Sequence, residues 1–332
     1  MSKVGIIGTG IWGTGLALTA TRAGNNVLCW AREPEVVESI NYAHVNKLFL
    51  PDIPLPDQIK ATGNVAEVFD FSDIILLTVS AQYTRATMQM IKPYLKKETI
   101  LVLCAKGIEQ SSGKMLSEIA AEEIPEATIA VLSGPGFAID VAKRKIASVT
   151  IACKQEDIAK TLVKTLGTSY FRPYLATDII APQIGGSIKN VIAIASGIIE
   201  GAALGDGARA ALITRGFHEM ARFTNAMGGD LPTLTGMCGL GDLVLTANCS
   251  QSRNFSFGYE VGVCGSAAKP MQENTRTVEG IYTAVAVVKR AHELNIEMPI
   301  CEMVERLLFK GISLEEAINT LLSRPYKDEG LS

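Results

Sequence analysis

The stretch KVGIIGTGIWGTGLALTATRAG, residues 3–24, decides the fold. Lys3–Ile7 is a short run of β-forming residues that ends in Gly8-Thr9-Gly10-Ile11-Trp12-Gly13. A helical pattern follows at once through Leu16, Ala17, Ala20 and Ala23 and stops at Gly24, and a second strand is expected at Asn26–Ala31. Strand, glycine turn, helix and strand in that order give G-x-G-x-x-G its meaning as a dinucleotide fingerprint. Gly8 makes the turn, Gly10 lets a pyrophosphate approach the backbone, and Gly13 lets helix and strand pack closely. The helix N-terminus then offers N–H groups and a positive dipole end to phosphates. A tight turn without a ligand is the alternative.

The end of the second strand bears on which dinucleotide fits. An NAD-specific site commonly carries an acid there for the ribose hydroxyls, whereas this chain reads Trp30-Ala31-Arg32-Glu33. Arg32 suits a 2′-phosphate or a place beside the adenine, and Glu33 suits the ribose if the strand ends one residue later. NADP(H) is expected to be accepted, with NAD(H) left open.

Outward from this unit the α/β alternation continues. Asp73–Val79, Thr99–Ala105, Ile129–Leu132 and Ala147–Ala152 are apolar runs of the kind buried on both faces of a parallel sheet, and Pro51–Pro56 reads as a surface excursion. Parallel strands separated by helices imply a doubly wound sheet of the Rossmann type, whose ligands bind beyond the carboxyl ends of the strands. Ser80-Ala81-Gln82, Lys106-Gly107 and Ser133-Gly134-Pro135-Gly136-Phe137 fall at such ends. Lys106 either snorkels at the sheet rim or meets an anion in the crevice, and the anion is the favoured reading.

After Asp178 the pattern turns helical, with Ile184, Ile188, Val191, Ile192, Ala195 and Ile199 at helical spacing. The expected division is a dinucleotide-binding domain over 1–178 and an all-α domain over 179–332. The apolar run 188–204 reads as a core helix and not a membrane span, because it holds Lys189, Asn190, Glu200 and glycines. Lys189 and Asn190 are placed at its start, where burial is costly unless they are paired or functional. A Lys in a desolvated cleft near a second Lys has its pKa lowered and becomes a proton-transfer group. A Lys whose head reaches solvent is the ordinary alternative.

The stretch GMCGLGDLVLTANCSQSRN, residues 236–254, concentrates an acid (Asp242), hydroxyls (Thr246, Ser250, Ser252), Arg253 and Asn254 behind Gly236, Gly239 and Gly241. By composition alone it is a solvated turn feeding a helix. Read beside two lysines and a dinucleotide fold, it becomes a substrate wall.

Bulk properties narrow the classes. With 332 residues, 48% hydrophobic and 20% charged, the chain is a globular protein large enough for two cores. A net charge of -3 argues against a nucleic-acid partner. Seven scattered cysteines form no C-x-x-C pair, and His44, His218 and His292 show no metal spacing, so no metal is expected. The chain enters a strand with no charged leader of the secretory type, which points to the cytoplasm.

Five motifs together resemble the NAD(P)-dependent glycerol-3-phosphate dehydrogenases of the bacterial type. They are Gly8–Gly13 with Thr14, Lys106-Gly107-Ile108-Glu109, Lys189-Asn190-Val191, Gly239-Leu240-Gly241-Asp242-Leu243 running on to Ser252-Arg253-Asn254, and Thr277-Val278-Glu279-Gly280. Their order and spacing fit over essentially the whole chain. The resemblance implies interconversion of dihydroxyacetone phosphate and sn-glycerol 3-phosphate with NAD(P)H, feeding glycerophospholipid synthesis, by a homodimer. It implies Lys189 as general acid/base, Lys106 in contact with substrate and cofactor, and Asp242 holding Lys189 and substrate hydroxyls. Asn190, Ser252, Arg253, Asn254, Gly134 and Gly136 would meet substrate, and the loop from Gly134 to Ala138 would line the site. Gly8, Gly10, Ile11, Trp12, Gly13, Arg32, Ala138, Arg253, Thr277 and Glu279 would lie along the cofactor.

Three positions depart from the family pattern. Ile11 stands where Ser is frequent, Gly136 where Ser or Thr is usual, and Thr277 where an apolar residue is frequent. At Ile11 and Gly136 only main-chain contacts remain. Two other classes stay open at this point: a two-domain dehydrogenase of hydroxy acids or sugar nucleotides, and a non-catalytic dinucleotide sensor. The first would not need the Gly239–Asn254 motif, and the second would not need Lys106, Lys189 and Asp242.

Overall fold

The computed structural model describes residues 2–326. Two compact units partition the chain: Met1–Ala105 with Leu116–Ile179, and Lys106–Met115 with Ile180–Ser332. A single cut after 178 leaves out the excursion Lys106–Met115, which groups with the helical unit. It is a loop closed by an Ile108–Met115 bridge, and both residues are buried in one cluster with Ile184 and Ile188.

The first unit holds strands β1 (Lys3–Ile7), β2 (Asn26–Trp30), β3 (Val45–Asn46), β4 (Leu50–Pro54), β5 (Ile59–Thr62), β6 (Ile74–Leu77), β7 (Ile100–Leu103), β8 (Thr128–Ser133), β9 (Ala147–Cys153) and β10 (Phe171–Ala176). Its helices are α1 (Ile11–Arg22), α2 (Pro34–Ala43), α3 (Val65–Phe71), α4 (Thr84–Ile91), α5 (Leu116–Glu123), α6 (Ala138–Ala142) and α7 (Glu156–Leu166). The main sheet has the order β10-β9-β8-β7-β6-β1-β2-β5. From β1 the chain winds outward through β2 to β5 and returns to β6 on the other side of β1, which puts a topological switch point between β1 and β6.

One strand corrects the expectation of an all-parallel sheet: β9 runs antiparallel to β8, and β10 then runs parallel to β9. A parallel return needs a crossover of a dozen or more residues, usually with a helix that runs back along the sheet. The connection from β8 to β9, residues 134–146, is long enough in residues, but its one helix is the five-residue α6, too short to run back along the sheet, and the chain reverses at the same end. The eleven-residue α7 carries the crossover from β9 to β10. The apolar run of β9 reports its burial and is silent on its direction.

Pro51–Pro56 is likewise more than an excursion. β3 and β4 form a separate antiparallel ribbon, with Leu50 and Leu55 buried in the core beneath.

The second unit is helical: α8 (Ala181–Gly201), α9 (Asp206–Ala226), α10 (Leu231–Leu234), α11 (Asp242–Ala247), α12 (Arg253–Cys264), α13 (Ala268–Glu273), α14 (Glu279–Glu293), α15 (Pro299–Phe309) and α16 (Leu314–Leu322). Its axis is α8, buried from Ala181 through Ile199. Glycines let α12 lie against it at backbone distance. A Cβ on Gly197 would stand 2.1 Å from the Phe255 carbonyl oxygen, and one on Gly258 2.0 Å from that of Ile194. Gly201 and Gly262 repeat the contact one turn on, against Tyr259 and Ile198, so the two helices run in the same direction. Among the described residues no helix is long and apolar enough to cross a membrane.

Pro182 starts α8 well before residue 188, which places Lys189 and Asn190 in its middle and not at its start. Gly185 and Gly186 weaken helix propensity in isolation. Here Gly185 is needed for packing, because a Cβ would stand 2.4 Å from the Cys238 carbonyl oxygen.

Candidate active site

Within the second unit, two lysines meet one carboxylate. Asp242 opens α11, just after a π-helical turn at Met237–Gly241, and is 1% exposed. The close approach of Gly185 to this turn sets Lys189, one helical turn further along α8, over Asp242. Lys189 Nζ donates to Asp242 Oδ1, and Lys106 Nζ donates to Oδ2 at 2.7 Å. Lys189 Nζ also donates to Thr246 Oγ1 at 2.8 Å, and that hydroxyl lies 3.3 Å from Asp242 Oδ1. Burial lowers the Lys189 pKa to about 7; Asp242 opposes the shift and Lys106 adds to it. The group therefore exchanges its proton near neutrality.

An amide network fixes the surroundings. Asn190 Nδ2 donates to the carbonyl oxygens of Lys106 and Gly186, each at 3.3 Å. Asn254 Nδ2 donates to Asn190 Oδ1 at 3.0 Å, and Asn254 Oδ1 accepts from Gly280 N–H at 2.9 Å. Lys106, Lys189, Asn190, Asp242 and Asn254 are thus joined by hydrogen bonds. Ser252 is engaged differently: it is the N-cap of α12, and its hydroxyl accepts from Phe255 N–H at 3.2 Å. Arg253 and Thr277 are exposed, and Glu279 is the first residue of α14.

Thr246 was legible only as one hydroxyl among several in 236–254. Its spacing of four from Asp242 on one helix is the signal that pairs them.

In the first unit the fingerprint turn has the geometry its glycines suggest. Gly8 adopts φ +103°, and Thr78 Oγ1 donates to the carbonyl oxygens of Ile7 and Gly8 at 3.0 and 2.6 Å. A Cβ on Gly13 would lie 2.0 Å from the Gly8 carbonyl oxygen. Gly10 is the N-cap of α1 without a side-chain cap, the first turn carries no acid, and a Cβ on Gly10 would meet nothing within 4 Å. An open helix N-terminus with no competing anion fits a pyrophosphate. Ile11 is 44% exposed and Trp12 half-buried. Arg32 is largely exposed and pairs with its neighbour Glu33, Nη2 to Oε1 at 2.7 Å. Gly134 is buried where a Cβ would approach Val149 Cα to 2.7 Å, whereas Gly136 has room for a side chain. Ala138 opens α6, its carbonyl against Gly15 of α1.

Two family models match this chain: NAD-dependent glycerol-3-phosphate dehydrogenase N-terminus over residues 3–159, and the C-terminus of the same family over 178–319. The chain belongs to the NAD-dependent glycerol-3-phosphate dehydrogenase family. Glycerol-3-phosphate dehydrogenase [NAD(P)+] of Parvibaculum lavamentivorans is 45% identical over 327 residues, 98% of either chain. The protein of that name from Maricaulis maris is 48% identical over 324 residues, 98% of this chain and 97% of the other. The crystal structure of glycerol-3-phosphate dehydrogenase from Coxiella burnetii superposes with a TM-score of 0.91 at 36% identity, covering 97% and 99% of the two chains. The N-terminal dehydrogenase model spans the fingerprint, Arg32, Lys106 and Gly134–Ala138, and the C-terminal one spans Lys189, Asp242, Ser252–Asn254 and Glu279. Lys106 therefore belongs to the N-terminal family model by sequence and to the helical unit by contact.

Proposed function

We propose that this chain is an NAD(P)-dependent sn-glycerol-3-phosphate dehydrogenase, reducing dihydroxyacetone phosphate and oxidising sn-glycerol 3-phosphate. One observation carries the reading: a buried Lys189, titrating near neutrality, shares the carboxylate of Asp242 with Lys106. Residues 1–178 serve as the dinucleotide-binding part and 179–332 as the catalytic part, with Lys106–Met115 working beside the latter.

The reduced nicotinamide, when bound, supplies the hydride. The chain's own residues do the rest. In reduction, the Lys189 ammonium gives its proton to the carbonyl oxygen as negative charge develops there; in oxidation, the amine takes the proton from the hydroxyl. Lys106 stabilises the same oxygen electrostatically. Asp242 and Thr246 keep the Lys189 Nζ in one place, and Asn190 and Asn254 hold the main chain behind it. Arg253, exposed at the first turn of α12, receives the substrate phosphate together with main-chain N–H groups of that helix. The relatives' names support use of either dinucleotide, and Arg32 favours acceptance of NADP(H). A cytoplasmic homodimer supplying glycerol 3-phosphate to phospholipid synthesis completes the reading, and sedimentation of the purified chain tests the dimer.

The deciding assay follows loss of reduced-nicotinamide absorbance with dihydroxyacetone phosphate, run beside 2-oxo acids and sugar nucleotides. Turnover confined to the phosphate is expected, and Lys189→Met should lower it by about 10²–10⁴-fold. Turnover of a 2-oxo acid or sugar nucleotide instead would move the chain to another dehydrogenase activity.

A further inference from the structure

We propose that Asn46 is a positioning residue for the dinucleotide, holding the Gly8–Gly13 turn in its phosphate-facing conformation from behind. The proposal rests on the reading that this turn receives the cofactor's pyrophosphate.

Asn46 lies outside the fingerprint, in the β3–β4 ribbon, and is 0% exposed. A buried primary amide needs two acceptors for its N–H groups and a donor for its oxygen. All three are present. Asn46 Nδ2 donates to the Thr9 carbonyl oxygen and to Thr14 Oγ1, each at 2.8 Å. Its Oδ1 accepts from Phe49 N–H at 3.2 Å. Thr14 Oγ1 in turn donates to the same Thr9 carbonyl at 3.2 Å. The amide has one workable orientation, because turning it over would set its oxygen against the Thr9 carbonyl and its NH₂ against Phe49 N–H.

Peptide planarity converts this clamp into a function. The carbonyl of Thr9 and the N–H of Gly10 belong to one trans peptide unit and point in opposite directions. Drawing the carbonyl toward Asn46 and Thr14 aims the Gly10 N–H away from the ribbon, and the space beside Gly10 is open. The N–H groups of Gly10 and of the first turn of α1 are the donors through which a helix N-terminus holds phosphate. The ribbon itself is anchored separately, by Leu50 and Leu55 at 3% and 4% exposure. Its attachment to the core therefore does not depend on the amide.

The test measures NADPH and NADH binding to the full-length chain without substrate, through the fluorescence of its two tryptophans, Trp12 and Trp30. Asn46→Asp keeps the size and replaces the donor with an acceptor. It should weaken both dinucleotides by about 10- to 100-fold, the equivalent of one or two buried hydrogen bonds turned repulsive. The KM for the dinucleotide should rise by a similar factor with kcat nearly unchanged, the mark of lost uniform binding. Leu55→Ala, which loosens the ribbon core, should lower thermal stability and leave affinity intact. Thr14→Val should weaken binding in the same direction and Thr14→Ser should retain it; these two decide the matter if Asn46→Asp fails to fold. Wild-type affinity in Asn46→Asp, or an equal loss in Leu55→Ala, overturns this inference alone. A wild-type chain that binds neither dinucleotide overturns it together with the functional reading.

Discussion

Lys106 and Lys189 hold opposite oxygens of one carboxylate, that of Asp242. Burial lowers the pKa of Lys189, the more buried of the two, to about 7; the Asp242 charge opposes the shift and the Lys106 ammonium adds to it. The sign of the resulting pH dependence differs with direction. Reduction needs the protonated form, so kcat/KM for dihydroxyacetone phosphate should fall as pH rises through about 7. Oxidation needs the neutral amine, so kcat/KM for glycerol 3-phosphate should rise over the same interval. Profiles measured in both directions check this, and profiles that move together would remove Lys189 from the proton transfer.

Asp242→Asn isolates the carboxylate's part. The amide still bridges the two lysines sterically, but the charge that favours the Lys189 ammonium is gone while Lys106 remains. The limb near pH 7 should therefore move to lower pH, and reduction at neutral pH should drop by about tenfold for each unit moved. A limb that stays in place would show that Asp242 acts on position alone.

Much of this was legible in the sequence, and the reasons divide cleanly. Gly8, Gly10 and Gly13 sit in a local strand–turn–helix pattern whose geometry is set by neighbours a few residues away. Lys106 and Lys189 could each be picked out as polar groups in apolar company, and Asp242 as the acid of a glycine-led polar stretch. That one carboxylate serves both lysines is a tertiary fact, created where Gly185 admits the Cys238–Gly239 backbone. The same holds for β9, whose burial is written in its residues while its direction follows from the short α6. The resemblance implies that Ser252 and Asn254 meet substrate, and their hydroxyl and amide are suited to it. Their hydrogen bonds within the fold, to Phe255 N–H, Asn190 and Gly280 N–H, depend on a helix cap and a helix pairing that composition does not specify.

The helix pairing makes its own prediction. Gly258→Ala places a methyl against the Ile194 carbonyl oxygen, and backbone on both sides must give way. The loss of stability should be about 1–3 kcal/mol or more, as for other overpacked cores. Because α8 carries Lys189 and α12 carries Arg253 and Asn254, kcat should fall as well. Gly207→Ala on α9, where a Cβ meets nothing within 4 Å, is the control and should be neutral or slightly stabilising. Urea denaturation of the two variants compares them directly.

Dinucleotide preference should respond to Arg32. Its side chain is 79% exposed and its ion pair with Glu33 is therefore weak, leaving the guanidinium able to exchange partners. Arg32→Ala should raise the KM for NADPH by about tenfold, as expected for one charge-assisted contact, and leave that for NADH little changed. Glu33→Gln should act in the opposite sense on NADPH. Equal effects of Arg32→Ala on both dinucleotides would mean that Arg32 does not meet the 2′-phosphate.

A second buried ionisable group, Glu219 on α9, gives stability a pH dependence of its own. Its carboxylate accepts from the N–H groups of Ile300 and Cys301 at 2.6 and 3.2 Å, capping α15 from another helix. Burial outweighs those donors and raises its pKa to about 7. A Glu whose pKa is raised on folding binds more protons in the native state, so its contribution is full below the unfolded value of about 4.3 and is lost as pH rises through the folded one. Glu219→Gln keeps an oxygen for the helix end and has no proton to lose. Wild type should therefore lose ground to the variant between about pH 5 and pH 8, by an amount on the order of 2–3 kcal/mol. Urea unfolding of both proteins across that range measures the gap, and a gap independent of pH would show that Glu219 keeps one protonation state throughout.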